Sequence, residues 1–114
     1  MASKEFSVAV VVSDSKKAAK WFEESLGFET SSEGHWVLAW PKGATSKLHL
    51  CEGKPEPGNT GIAFYVNRID AEAAKMKAKG VKFTREVKKE DWGTNGMFAD
   101  ADGNVYWLIE GTGP

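Results

Sequence analysis

The sequence predicts an α+β fold built from two βαβββ modules in tandem, on three observations. The order of elements repeats: an apolar strand, a helix and three further strands, then the same series after a short Pro/Gly linker. Residues match at an offset of 54, with Ala9 meeting Ala63, Val12 meeting Val66 and Ala19 meeting Ala73. Each helix is halted by glycine, and one deleted residue brings Gly27 opposite Gly80.

In the first module (about residues 1–53), residues 6–12 form an apolar run of strand length. Ser13, Asp14 and Ser15 are N-cap residue types, and residues 16–26 then read as a helix. Ala18, Phe22 and Leu26, spaced by four, form its buried stripe, with lysines and glutamates outside. Residues 28–32, 35–40 and 47–51 read as strands, separated by turns at Glu33-Gly34 and Pro41-Lys42-Gly43-Ala44. Residues 54–58 are the linker. In the second module (about residues 59–114), a strand at 61–66, a helix at 69–79 and a strand at 81–86 follow. Strands at 96–100 and 104–110 close it, around the turn Asp100-Ala101-Asp102-Gly103-Asn104.

Fifteen basic and sixteen acidic residues leave a net charge of −1, which gives no general attraction for nucleic acid or an anionic membrane. The lone Cys51 cannot form an internal disulfide, and Met1-Ala2-Ser3-Lys4-Glu5 lacks the apolar core of a signal peptide. A reducing, cytoplasmic setting is the expectation. Five tryptophans exceed what a small core readily hides, so aromatic surface in a cavity or interface is expected.

Val8-Ala9-Val10-Val11-Val12-Ser13-Asp14 followed by Trp21-Phe22 and Leu26-Gly27-Phe28 resembles the opening of glyoxalase/bleomycin-resistance (vicinal oxygen chelate) proteins. Gly61-Ile62-Ala63-Phe64-Tyr65-Val66, Lys79-Gly80-Val81, Trp92-Gly93 and Phe98-Ala99-Asp100-Ala101-Asp102-Gly103-Asn104 resemble its second half. The resemblance spans nearly the whole chain as a single such domain. It implies curved mixed sheets around a cleft, commonly in a homodimer. It also implies four metal-ligand places, which fall here on Ser7, His49, Gly61 and Trp107. Only His49 is a strong ligand: Gly61 has no side chain, Trp107 has only an N–H donor, and a neutral Ser7 hydroxyl binds poorly. Zinc, iron and manganese sites need three or more protein donors, so no metal and no other cofactor is expected.

If Ser7 and Gly61 face the cleft, strand alternation adds Ala9, Val11, Ala63, Tyr65, Lys47, Cys51, Val105 and Ile109 to that surface. Val8, Val10, Val12, Leu48, Leu50, Ile62, Phe64, Val66 and Leu108 fall on the other face, where helices pack. Trp36, Trp40, His49, Tyr65, Trp92 and Trp107 are the candidate ligand-binding residues. Each also fits a structural role: Trp107 as core or dimer contact, Trp36 and Trp40 as sheet packing, Trp92 as a plain loop residue. His49 equally suits a structural histidine. The calcium-like Asp100–Asn104 segment lacks its twelfth-position Glu, the Lys/Glu run 86–91 reads as a solvated segment, and the lysines of both helices lie on outer faces.

The leading expectation is therefore a metal-free small-molecule-binding protein, similar to the drug-sequestering, antibiotic-resistance type, holding an aromatic or apolar ligand. The alternatives are a cofactor-free isomerase or lyase with His49 as acid/base, a glyoxalase-like metal enzyme with His35 or Glu52 as displaced ligands beside His49, and a scaffold whose cleft serves only dimerisation.

Overall fold

The computed structural model describes residues 7–111; Phe6, where the first strand was expected to begin, and Met1-Ala2-Ser3-Lys4-Glu5 lie outside them. The chain divides between Glu56 and Pro57 into two compact units with the same plan.

In the first unit, β1 (Ser7–Val12) leads into α1 (Ser15–Leu26), followed by β2 (Glu29–Glu33), β3 (Trp36–Trp40) and β4 (Lys47–Glu52). The sheet order is β1-β4-β3-β2, with β1 and β4 parallel and the other pairs antiparallel. Helix α1 starts where Asp14, in extended conformation, accepts the Lys17 N–H at 3.0 Å. It stops at Gly27, whose φ of 71° is left-handed; the Phe28 N–H returns to the Phe22 carbonyl and the two rings stack at 5.5 Å. Phe22, Val10, Val12, Val37, Ala39 and Leu50 form the core beneath the helix. Val8, expected on that face, is 37% exposed.

The second unit repeats this with β5 (Asn59–Val66), α2 (Ile69–Ala78), β6 (Lys82–Glu90), β7 (Gly93–Ala99) and β8 (Val105–Glu110), in the order β5-β8-β7-β6. Ala9 pairs with His49 in the first sheet as Ala63 pairs with Trp107 in the second, so the duplication extends to cross-strand register. Its core is aromatic: Phe64, Phe83, Phe98 and Tyr106 lie with ring centroids 5.4–6.3 Å apart. The Asp100–Asn104 turn is a structural knot. Asp100 accepts from the backbone N–H groups of Asp102 and Asn104, both at 2.9 Å, from the Asn104 amide at 3.1 Å, and from the Tyr106 hydroxyl at 2.7 Å. Burial first, then the Asp100 charge, pushes the Tyr106 phenol far above its ordinary range.

The second unit corrects three expectations. The Lys/Glu run is solvated as expected, with Glu86, Lys88 and Lys89 exposed, but it is strand rather than a segment beyond the strand: β6 continues through it to Glu90 as an edge strand. Trp92, expected in a loop that runs on through Gly93, Asn95 and Gly96, stands instead in the two-residue turn Asp91-Trp92 of the β6–β7 hairpin, and residues 93–95 already belong to β7. Strict alternation through Gly61 also fails. Asn59 pairs with Val105 and Ala63 with Trp107, leaving an irregular stretch between them in which Gly61 takes φ of 76°. The Asn59 side chain accepts the Gly61 N–H at 2.9 Å, while the Thr60 hydroxyl accepts from the Ile62 N–H and donates to the Val105 carbonyl.

Candidate functional site

The face of each sheet away from its helix carries the candidate site residues, and the two units present them differently. In the first unit, β4 alternates buried Leu48 and Leu50 with half-buried Lys47, His49 and Cys51. His49 lies opposite Leu38 of β3, and the Trp36 ring, 61% exposed, packs on its imidazole at 4.8 Å. Trp40 is on the same face, its ring covered by the Lys47 ammonium at 4.4 Å. A cavity of about 260 Å³ is lined by His35, His49, Cys51, Glu52 and Ser15, among others. Glu52 is already engaged there: one carboxylate oxygen accepts both the backbone N–H and the hydroxyl of Ser15, each at 2.9 Å. Those bonds, the backbone one first, hold the Glu52 carboxyl below its ordinary range.

In the second unit, the rows across the face are set by pairing. Arg85 of β6 lies opposite Met97, Met97 opposite Trp107, and Trp107 opposite Ala63; one row along, Asn95 lies opposite Ile109 and Ile109 opposite Tyr65. Trp92, 57% exposed, meets Trp107 edge-to-face at 6.0 Å. The Arg85 guanidinium sits 5.7 Å from the Trp107 ring centroid and forms an ion pair with Glu90, which Lys88 also approaches at 3.2 Å. Lys88 above all, with Arg85 and the Trp92 indole N–H adding less, keeps the Glu90 carboxyl below its ordinary range. Tyr65 is 39% exposed and also borders a separate cavity of about 480 Å³ beside Arg68, Glu72 and Lys75.

Of the expected residues, Trp36 and His49 come together in one unit, and Trp92 and Trp107 in the other. Trp40 is paired with a lysine instead, and Tyr65 stands one row from Trp107. Arg85, Glu90 and Asn95 were missed, because only the hairpin register brings them beside Trp107.

Residues 6–108 match the family described as the Glyoxalase/Bleomycin resistance protein/Dioxygenase superfamily. The chain belongs to that superfamily. A superfamily member from Sphaerobacter thermophilus DSM 20745 superposes with a TM-score of 0.88 at 28% identity, over 96% of this chain and 98% of its own. TnmS3, an antibiotic binding protein from Streptomyces sp. CB03234, superposes with a TM-score of 0.80 at 32% identity, over 98% of this chain and 99% of its own. The uncharacterized protein YetH of Bacillus subtilis (strain 168) is 34% identical, over 90% of this chain and 94% of that protein.

The metal centre of vicinal oxygen chelate enzymes does not fit the residues present. Ser7 pairs with Lys47, which brings a cation to the strand position beside it, and Gly61 has neither a side chain nor a backbone that readily accepts one. Among the described residues no three His, Cys, Asp or Glu side chains are grouped to hold a metal ion. His35 and Glu52 line a cavity with His49, where one oxygen of the Glu52 carboxylate accepts from Ser15. No helix among the described residues is long and apolar enough to cross a membrane.

Proposed function

We propose that this chain is a small-molecule-binding protein of the glyoxalase/bleomycin-resistance type, holding an aromatic or apolar ligand without a metal. The observation that carries the reading is the exchange at Trp107. A position that the resemblance assigns to a chelating carboxylate holds an indole, with Trp92 at its edge and Arg85 over its face. Such a surface favours a flat ring, each ring–ring contact adding about 0.5–1.5 kcal/mol beyond area burial. The 32% identity to an antibiotic binding protein supports a sequestering role over turnover. His49 lends less support to acid/base chemistry, because the carboxylate in its cavity is directed to Ser15 rather than to its imidazole.

Titrating a panel of planar aromatic compounds against tryptophan fluorescence tests the proposal. Saturable quenching is expected, with Trp107→Ala weakening binding on the order of tenfold. A flat response of the unaltered protein across the panel would overturn it. Dialysis against zinc or nickel should leave no stoichiometric metal; tight uptake would sink the metal-free part. We further place the protein in a reducing cytoplasm as a homodimer, for which light scattering should return the mass of two chains.

A further inference from the structure

Two buried polar atoms on the second unit's tryptophan face have no partner among the described residues: Arg85 Nε and Asn95 Oδ1. Asn95 is fully buried, and its amide orientation is set by donation from Nδ2 to the Gly93 carbonyl at 3.3 Å. Its oxygen is therefore a bare acceptor. Arg85 is held by Glu90 through a terminal guanidinium nitrogen, which leaves the Nε–H as a bare donor. Both residues point to the Trp107 side of the sheet, in adjacent rows about 7 Å apart along the strand. Buried groups of this kind are nearly always satisfied, so a donor and an acceptor both left open beside an aromatic wall call for a complementary group.

Resting on the ligand-binding reading above, we infer that Arg85 and Asn95 are its specificity determinants, selecting a planar aromatic ligand with a neutral edge that both accepts and donates a hydrogen bond. A carboxamide, or a carbonyl with a neighbouring hydroxyl, meets the description. Its oxygen accepts from Arg85 Nε–H, and its N–H or O–H donates to Asn95 Oδ1. A carboxylate does not, since its oxygens would face the Asn95 oxygen with no proton between them. The Arg85 charge is already balanced by Glu90, so the site has no need of an anion. Gly96 supports the arrangement from the opposite face: a Cβ there would come within 3.1 Å of the Val87 side chain and 3.2 Å of the Arg85 carbonyl, at an irregularity in the β6–β7 pairing.

The test compares 2-naphthamide, 2-naphthoate and naphthalene, following the indole N–H resonances of the 15N-labelled protein. The amide should bind at least tenfold more tightly than either of the others. Asn95→Leu should erase that advantage while naphthalene binding persists, and Arg85→Lys, which keeps the charge facing Glu90, should reduce it. Equal affinity of the unaltered protein for amide and naphthalene overturns the inference while leaving the ligand-binding reading intact; a fixed water then satisfies the two atoms. Preference for the carboxylate also overturns it. Silence with all three probes overturns both. The ranking in the unaltered protein stands whether or not the variants fold.

Discussion

Tyr106 and Asp100 show how single side chains fix the second unit. The phenol donates to Asp100 within a buried turn that already takes three N–H bonds, so Tyr106→Phe removes a charge-assisted bond and fills no space in return. The expected loss is about 1.5–3 kcal/mol by urea unfolding. The sign with pH follows from the raised phenol. Its contribution is complete below the ordinary tyrosine pKa near 10 and fades as pH rises above that value. The unaltered protein should therefore lose stability at high pH faster than Tyr106→Phe, as followed by circular dichroism. Gly61 acts through backbone alone: its φ of 76° strains any L-residue, although nothing lies within 4 Å of a Cβ placed there. Gly61→Ala should cost about 1 kcal/mol or more, and full stability in the variant would refute the assignment.

The elements show why some of the fold was legible and some was not. Helix α1 carries its own punctuation, an Asp14 cap and a Gly27 stop, and Asp14→Ala should lower stability by about 1 kcal/mol in thermal melts. Strand β6 was misread after Glu86, because a solvated edge strand and a solvated loop both favour alternating charge; only pairing with β7 tells them apart. The same pairing hides Asn95. Between Gly93 and Gly96 an asparagine looks like a turn residue, yet cross-strand register makes it the most buried polar side chain of the sheet. Trp107 was identifiable because alternation along a regular strand such as β8 needs no partner to be read. Arg85 needed the register of an irregular hairpin, which no local pattern encodes.

Across the whole molecule, duplication extends to a device that the offset of 54 did not expose. A glutamate at the end of each unit's last strand caps the start of that same unit's helix: Glu52 accepts from the Ser15 N–H, and Glu110 accepts from the Ile69 N–H at 3.1 Å. The first is the fuller version, since Ser15 adds a hydroxyl where Ile69 has none. The Glu52 carboxyl is held below its ordinary range, so its contribution is present above the unfolded carboxylate pKa and disappears as pH falls through the lower folded value. Glu52→Gln should thus be less stable than the unaltered protein near neutrality, with the gap closing in acid below about pH 4. Because the two caps belong to separate units, the losses from Glu52→Gln and Glu110→Gln should add in the double variant, as read by denaturant midpoints.

The left-handed glycine in β5 also bears on ancestry. A chelating side chain at that point would find open space but would carry the strain of a positive φ. Relatives that share the same kink are therefore expected among binders before catalysts, which ligand titration of such relatives would check.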